Sequence, residues 1–261
     1  MVPDDVVQAV RAFAARPHVL VALDFDGVLS PLVDDPNAAR ALPGTVEAVL
    51  ELARLPDTDV VLVSGRALES LSAVSGVRDG DGVSLVGSHG AEASLRQRPT
   101  GRPASIGMTR EEGERLEQVT AALRTIAATD PGLDVELKPT GSVLHTRRAA
   151  DDVARRAEDE ALRGPGSWPG VHAIRGKSVV ELAVVETSKG AALQRLRADL
   201  GVPAVLYAGD DVTDETAFSV LGPGDVGVKV GPGATHAAYR VDGPEDVREL
   251  IQRLVAERSQ R

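Results

Sequence analysis

The sequence predicts an α/β protein, a doubly wound and mostly parallel sheet built from both ends of the chain, with a smaller α+β segment inserted in the middle. Three observations carry this. Short apolar, β-rich runs alternate with longer helical patterns in the first third of the chain. The same alternation returns in the last third. Between them the rhythm changes to paired, alternating strands.

The first part reads HVLVALDF (18–25), a helical GTVEAVLELARL (44–55), DVVLVSG (59–65), ALESLSAV (67–74) and VSLVGS (83–88). Near-continuous apolar strands are buried on both faces, which is the signature of parallel βαβ units. The last part gives the helix KGAALQRLRADL (189–200), the strand AVLYAGD (204–210), the helix TDETAFSVL (213–221), the strand VGVKVG (226–231) and the closing helix EDVRELIQRLVAER (245–258).

The middle begins with a Pro- and Gly-containing linker, RPTGRPASIG (98–107). Thr109 and Glu112 then frame a capping box for a helix running to about Ala128. Two alternating strands follow, LDVELKPT (133–140) and SVLHTRR (142–148), with a tight turn near Gly141. A helix, DDVARRAEDEAL (151–162), leads to a second strand pair, GVHAIRG (170–176) and KSVVELAV (177–184). No fixed-period repeat or low-complexity tract stands out.

Composition narrows the function. The 261 residues, 43% of them hydrophobic, suffice for one large core or for a domain plus a smaller one. With 39 acidic and 29 basic side chains the formal net charge is -10, which opposes general binding to nucleic acid or anionic membranes. A small anionic substrate remains open if local cations or a metal receive it. The absence of cysteine excludes disulfides, thiolate nucleophiles and thiolate metal sites, so a metal must be held by oxygen or imidazole. The N-terminal MVPDDVVQAVRAFAARP lacks the pattern of a signal peptide, and no run approaches the length of a spanning helix, so a cytoplasmic protein is the expectation.

Ligands of open α/β sheets bind at the carboxyl ends of the strands, so the polar residues there are read together. They are Asp24 and Asp26 after the first strand, Ser64 after the second, Lys189 opening a helix, and Asp210, Asp211 and Asp214 in GDDVTDE. Singly, each has a bland explanation: an Asp after a strand caps or turns, Ser64 before Gly65 is turn chemistry, and Lys189 is a solvated helix residue. Jointly, they must all sit at one edge of one sheet by coincidence. A hard cation such as Mg²⁺ gives the repelling carboxylates a reason to coexist, with Asp210 as ligand and Asp211 or Asp214 in direct or water-bridged support. Asp24 and Asp26, two apart, would share one face of an extended segment. One can attack phosphorus as a nucleophile while the other handles the protons. Gly27 allows a tight turn around the phosphate, Ser64 donates to a phosphate oxygen, and Lys189 balances charge.

These residues, D-F-D-G at 24–27, S-G-R at 64–66, S-K-G at 188–190 and G-D-D-V-T-D-E at 209–215, resemble in type and order the four motifs of the haloacid dehalogenase superfamily of phosphohydrolases. The resemblance implies a Rossmannoid core with Asp24 as nucleophile, Asp26 as general acid/base and a metal ligand through its backbone carbonyl, Ser64 and Lys189 as phosphate contacts, and Asp210 as the third metal ligand. It also implies a cap inserted between Ser64 and Lys189, which are 125 positions apart. The expected division is a core of 1–106 and 184–261 with a cap of 107–183, the cap closing over substrate and excluding water.

Within the superfamily, G-S-H-G-A-E (87–92), E-L-K (136–138), H-T-R (145–147), G-K-S-V-V-E-L (176–182) and Y-A-G-D-D-V-T-D-E-T-A-F (207–218) followed by G-V-K-V-G look like the trehalose-6-phosphate phosphatase family, over nearly the whole chain. That resemblance implies a Mg²⁺-dependent hydrolysis of a sugar phosphate through an aspartyl phosphate and a functional link to the synthase that makes the substrate. By it, Lys138, His145, Arg147 and Glu181 are cap residues for sugar hydroxyls or phosphate, and His89, Gly90, Gly27 and Arg66 lie on the core side. Two positions depart from the family pattern. Thr146 stands where an aromatic is common, and Ala183-Val184 where Arg-Pro is common. Rival readings are a phosphatase for sucrose phosphate or monosaccharide phosphates and a catalytically silent phosphosugar sensor. A dinucleotide-binding oxidoreductase would share the sheet type, but this chain lacks the G-x-G-x-x-G that such a protein carries after its first strand.

Overall fold

The computed structural model describes residues 2–78, 80–95, 108–138, 140–176, 178–185 and 188–261, so the predicted linker at 98–107 lies outside the described residues. The chain forms two compact units, Met1–Ile106 with Thr187–Arg261, and Gly107–Glu186.

The first unit opens with α1 (Asp4–Ala14), β1 (Val19–Leu23), α2 (Thr45–Arg54), β2 (Thr58–Val63), α3 (Leu68–Ser75), β3 (Val83–Gly87) and a short β4 (Glu92–Ser94). The second unit holds α4 (Arg110–Ala127), β5 (Asp134–Lys138), β6 (Gly141–His145), α5 (Asp151–Arg163), β7 (His172–Gly176) and β8 (Val179–Ala183). The first unit resumes with α6 (Lys189–Leu200), β9 (Ala204–Gly209), α7 (Glu215–Phe218), β10 (Val226–Val230), β11 (Tyr239–Val241) and α8 (Pro244–Arg258).

Seven strands of the first unit make one sheet in the order β11-β10-β9-β1-β2-β3-β4, parallel except for the antiparallel edge strand β4. In the central strand β1 all five residues are buried, because alternate side chains serve two cores. Val19, Val21 and Leu23 pack with Phe13, Leu52, Leu250 and Leu254 from α1, α2 and α8. Leu20 and Ala22 pack with Leu193, Leu196 and Phe218 from α6 and α7. Each large aliphatic side chain so buried contributes roughly 1.5–3 kcal/mol. The register, with Leu23 facing Leu62 and Ala208, aligns the carboxyl ends of β1, β2 and β9 along one edge.

The second unit is a four-stranded antiparallel sheet, β5-β6-β8-β7, with α4 and α5 on one face. Leu144, Val180 and Leu182 pack against Leu116, Val119, Leu123 and Ala161. The predicted capping box is present: Thr109 accepts from the Glu112 amide and the Glu112 side chain accepts from the Thr109 amide. Gly141 lies at the start of β6, where a Cβ would stand 2.8 Å from the Leu182 carbonyl oxygen, so the turn precedes it. Thr146 is buried and donates from its hydroxyl to Glu158 Oε1 at 2.8 Å, so the departure from an aromatic is satisfied by hydrogen bonding. Among the described residues no helix is long and apolar enough to cross a membrane.

Candidate active site

The strand-end residues meet in one cleft of about 520 Å³ in the first unit, lined among others by Asp24, Asp26, Ser64, Arg66, Lys189 and Asp210. His89 and Asp211 also line it. β1 ends at Leu23, with the Asp24 amide still donating to the Ala208 carbonyl at 3.0 Å, and Asp24 and Asp26 follow directly beyond it. They line the cleft from a turn in which the Phe25 carbonyl accepts from the Leu29 and Ser30 amides.

Asp24 is 4% exposed. Its Oδ1 accepts from the Phe25 amide at 2.6 Å and its Oδ2 from Lys189 Nζ at 2.6 Å. Burial pushes its carboxyl up to about 7, against the pull of Lys189 and with a further push from Asp214. Lys189 is buried too, placed by a helix N-terminus at which the Ser188 side chain accepts from the Ala191 amide. Burial disfavours its charge, but Asp24 and Asp214 outweigh that and hold it protonated, with its pKa raised.

Asp214 is a strut beneath the cleft. Its Oδ1 accepts from Lys189 Nζ at 2.7 Å and Tyr207 Oη at 2.6 Å, while its Oδ2 accepts from the Asp210 and Asp211 amides at 2.8 Å each. Asp211 is exposed and caps the turn, its side chain accepting from the Val212 amide at 2.6 Å. The helix-capping explanation of GDDVTDE is therefore part of the answer. Asp210 instead turns toward the cleft floor, and burial together with Asp214 raises its carboxyl to about 6. Gly27, at φ 71°, makes room for it: a Cβ there would lie 1.9 Å from Asp210 Oδ2.

Asp24, Asp210 and Asp214 each offer a carboxylate oxygen within 4.8 Å of the others. An oxygen-only donor set with two carboxyls pushed upward, chiefly by burial and further by Asp214, fits a hard divalent cation, whose charge would favour their ionised forms. The four hydrogen bonds on Asp214 make Asp24 and Asp210 the more open ligands.

The Asp26 carboxylate points elsewhere. Arg66 grips it through Nε at 2.6 Å and Nη2 at 2.7 Å, a two-point pairing that raises the arginine's own pKa. The backbone behind Arg66 is fixed: its amide donates to Ser64 Oγ at 3.2 Å and its carbonyl accepts from the Ser88 amide at 2.7 Å. Ser88 and His89 both hold left-handed backbone, φ 49° and 54°, which costs about 1–3 kcal/mol each. In return the His89 amide donates to the Ser64 carbonyl at 3.0 Å, and the His89 ring covers Gly65, where a Cβ would be 2.5 Å from Cε1. Burial, then Lys189, lowers the His89 pKa. Gly90 is buried behind the cleft against the Ser188 carbonyl and Ala192.

In the second unit, Lys138, His145 and Glu181 sit on the sheet face opposite α4 and α5. Lys138 Nζ donates to Glu181 Oε2 at 2.9 Å, and His145 Nε2 pairs with Glu136 Oε2 at 2.8 Å. Arg147 is exposed beyond the end of β6, beside His145 around a hollow of about 500 Å³. Three participants in the core site lie within motifs quoted above but receive no role from the sequence. Lys229 is 4% exposed and donates to the Asp210 carbonyl; its only sequence signal is a lone cation inside VGVKVG. Tyr207 reaches Asp214 from within β9. Glu92 accepts from Ser88 Oγ and from the Leu68 amide, tying the strained turn to α3.

Comparison with known proteins places this geometry. A trehalose-phosphatase family model matches residues 22–245. Trehalose-phosphate phosphatase of Mycobacterium marinum is 35% identical over 255 residues, covering 93% of this chain and 63% of the relative. The bifunctional trehalose-6-phosphate synthase/phosphatase of Thermoproteus tenax is 34% identical over 245 residues, covering 93% of this chain and 32% of the relative. The chain thus spans less than two thirds of the length of these relatives. The structure of Aspergillus fumigatus trehalose-6-phosphate phosphatase superposes with a TM-score of 0.69 at 23% identity, over 97% of this chain and 98% of that one, a likeness of fold. With the family model covering most of its length, the chain belongs to the trehalose-phosphatase family.

Proposed function

We propose that the chain hydrolyses trehalose 6-phosphate to trehalose and inorganic phosphate through an aspartyl phosphate on Asp24. The observation that carries this is the placement of a buried carboxylate, Asp24, against Lys189 at 2.6 Å in a cleft that also holds Asp26, Ser64 and Asp210. An Asp24 oxygen attacks phosphorus and the bond to the sugar oxygen breaks, with Asp26 giving that oxygen a proton. Water then attacks the aspartyl phosphate, Asp26 takes the water's proton, and phosphate leaves with Asp24 restored. Arg66 exchanges Asp26 for the incoming phosphate. Ser64 and Lys189 hold the phosphoryl oxygens, and His89 meets the ester from the side of Gly65 and Gly90.

Asp24 and Asp210, with the Asp26 carbonyl and support from Asp211 and Asp214, would hold Mg²⁺, which supplies charge neutralisation at the phosphoryl group. The segment 107–183 acts as the cap, with Lys138, His145, Arg147 and Glu181 as its contacts to sugar hydroxyls. Recognition by hydrogen bonds discriminates because the wrong sugar leaves buried polar groups unpaired. A cytoplasmic setting and a functional link to a trehalose-6-phosphate synthase complete the reading. The test is phosphate release from trehalose 6-phosphate, sucrose 6-phosphate and glucose 6-phosphate, each with Mg²⁺ and with EDTA. Mg²⁺-dependent release from trehalose 6-phosphate is expected, and release from another sugar phosphate alone would overturn the substrate assignment.

A further inference from the structure

We infer that Leu32 and Val33 form an aliphatic wall that packs against the apolar face of the sugar ring next to the phosphoryl group, making them specificity-determining residues. The inference rests on the reading that a sugar phosphate places its phosphoryl group at Asp24. Leu32 is 72% exposed and Val33 45% exposed, and both line the same cleft as Asp24 and Asp210, with Pro36 beside them.

Their position is built. The Leu29 and Ser30 amides donate to the Phe25 carbonyl, so the segment leaves directly from the turn that carries Asp24 and Asp26. It returns where the Leu42 amide donates to the Leu29 carbonyl, and Leu29 and Ala39 are buried in the core. Between these anchors, Asp35 caps the turn Pro36–Ala38, its side chain accepting from the Asn37 amide at 2.9 Å. Two large aliphatic side chains are thus held at the rim of an otherwise charged cleft, flanked in sequence by Asp34 and Asp35.

A phosphoryl group and a cation have no use for such a rim. A pyranose does, because its ring presents C–H bonds on its faces and hydroxyls around its edge. Carbohydrate faces commonly pack on the rings of Phe, Tyr or Trp, but none of these among the described residues lines this cleft. Leu32 and Val33 supply the apolar area in their place, and a contact of one or two aliphatic groups discriminates by roughly 10- to 200-fold.

Because both residues are exposed, polar substitution leaves the core intact. Leu32→Ser, Val33→Ser and the double variant are assayed with trehalose 6-phosphate, which carries rings, and with acetyl phosphate, which carries none, alongside inhibition by inorganic phosphate. The double variant is expected to lose about tenfold in kcat/KM on trehalose 6-phosphate through KM. Acetyl phosphate turnover and phosphate inhibition should shift by less than about threefold, and Leu32→Met should retain the parent KM. An equal loss on both substrates would assign the pair to closing the cleft, and no loss on trehalose 6-phosphate would remove them from the site; either overturns the inference. If the unaltered protein turns over acetyl phosphate but no sugar phosphate, it is the proposed function that fails.

Discussion

Lys189 and Asp24 form an ion pair of 2.6 Å in which the two residues are 2% and 4% exposed. A buried pair of this kind is fragile to the loss of one partner, because the other is left charged and unsolvated. Lys189→Met strands both Asp24 and Asp214, and should cost about 3–5 kcal/mol in urea denaturation as well as all measurable turnover. Asp24→Asn leaves Lys189 paired with Asp214, so it should keep the fold with a smaller stability loss while abolishing turnover. Near-parental activity in Asp24→Asn would remove it as the nucleophile.

Gly27 and Asp210 make a second such test. Alanine at position 27 must hold φ near 71° and place its Cβ where the Asp210 carboxylate now lies, 1.9 Å away. The left-handed backbone alone costs about 1–2 kcal/mol. The displaced carboxylate should weaken Mg²⁺ binding by tenfold or more, read by the thermal shift on titrating Mg²⁺. An unchanged midpoint would show that Asp210 is not a ligand.

The raised carboxyls give the metal-free protein a distinct pH dependence. Asp210 rises from 3.8 to about 6 and Asp24 from 3.8 to about 7 in the folded state. Protons are thus held more tightly folded than unfolded. Their stabilising contribution is full below about 3.8 and is lost as pH climbs through 6 to 7. In EDTA, the melting temperature should fall across that window, and fall less in Asp210→Asn. Mg²⁺, which needs the ionised carboxylates, should raise it more at pH ~7.5 than at pH ~5. Equal Mg²⁺ shifts at the two pH values would contradict this.

Far from the cleft, Arg258 of α8 donates to Thr58 Oγ1 and to the carbonyls of Ala14, Arg16, Pro56 and Asp57. Arg258→Met removes these five bonds at once, although each carbonyl keeps a second donor: Arg261 for Ala14 and Arg16, Thr58 Oγ1 for Pro56 and the Val19 amide for Asp57. It should cost about 3 kcal/mol in stability while kcat at 25 °C stays near parental. A large loss of kcat without loss of stability would show the staple reaching the site.

The legible part of the site was the part written at strand ends. Asp24, Ser64, Lys189 and Asp210 each follow or precede an element whose pattern is strong, and parallel topology then brings them together. What stayed hidden depends on contacts between distant residues or on backbone angles. The Arg66 grip on Asp26 spans 40 positions. The left-handed Ser88 and His89 carry no residue type that announces them. Lys229 reads as one more strand residue until β10 lies beside β9. In the fold, the edge strands β4 and β11, three residues each, were too short to leave a period. The stretch that forms α1 shows in the sequence only as lacking a signal-peptide pattern.

The most direct measurement is to mix the protein with trehalose 6-phosphate and Mg²⁺, quench within the first turnovers, reduce with borohydride and map the peptides by mass spectrometry. Reduction of an acyl phosphate converts that aspartate to homoserine. Homoserine at position 24, absent from Asp24→Asn and absent in EDTA, is the expected result. Homoserine at another acid, or phosphate release with no reducible intermediate in a protein whose Asp24→Asn variant still turns over, would contradict a covalent mechanism at Asp24.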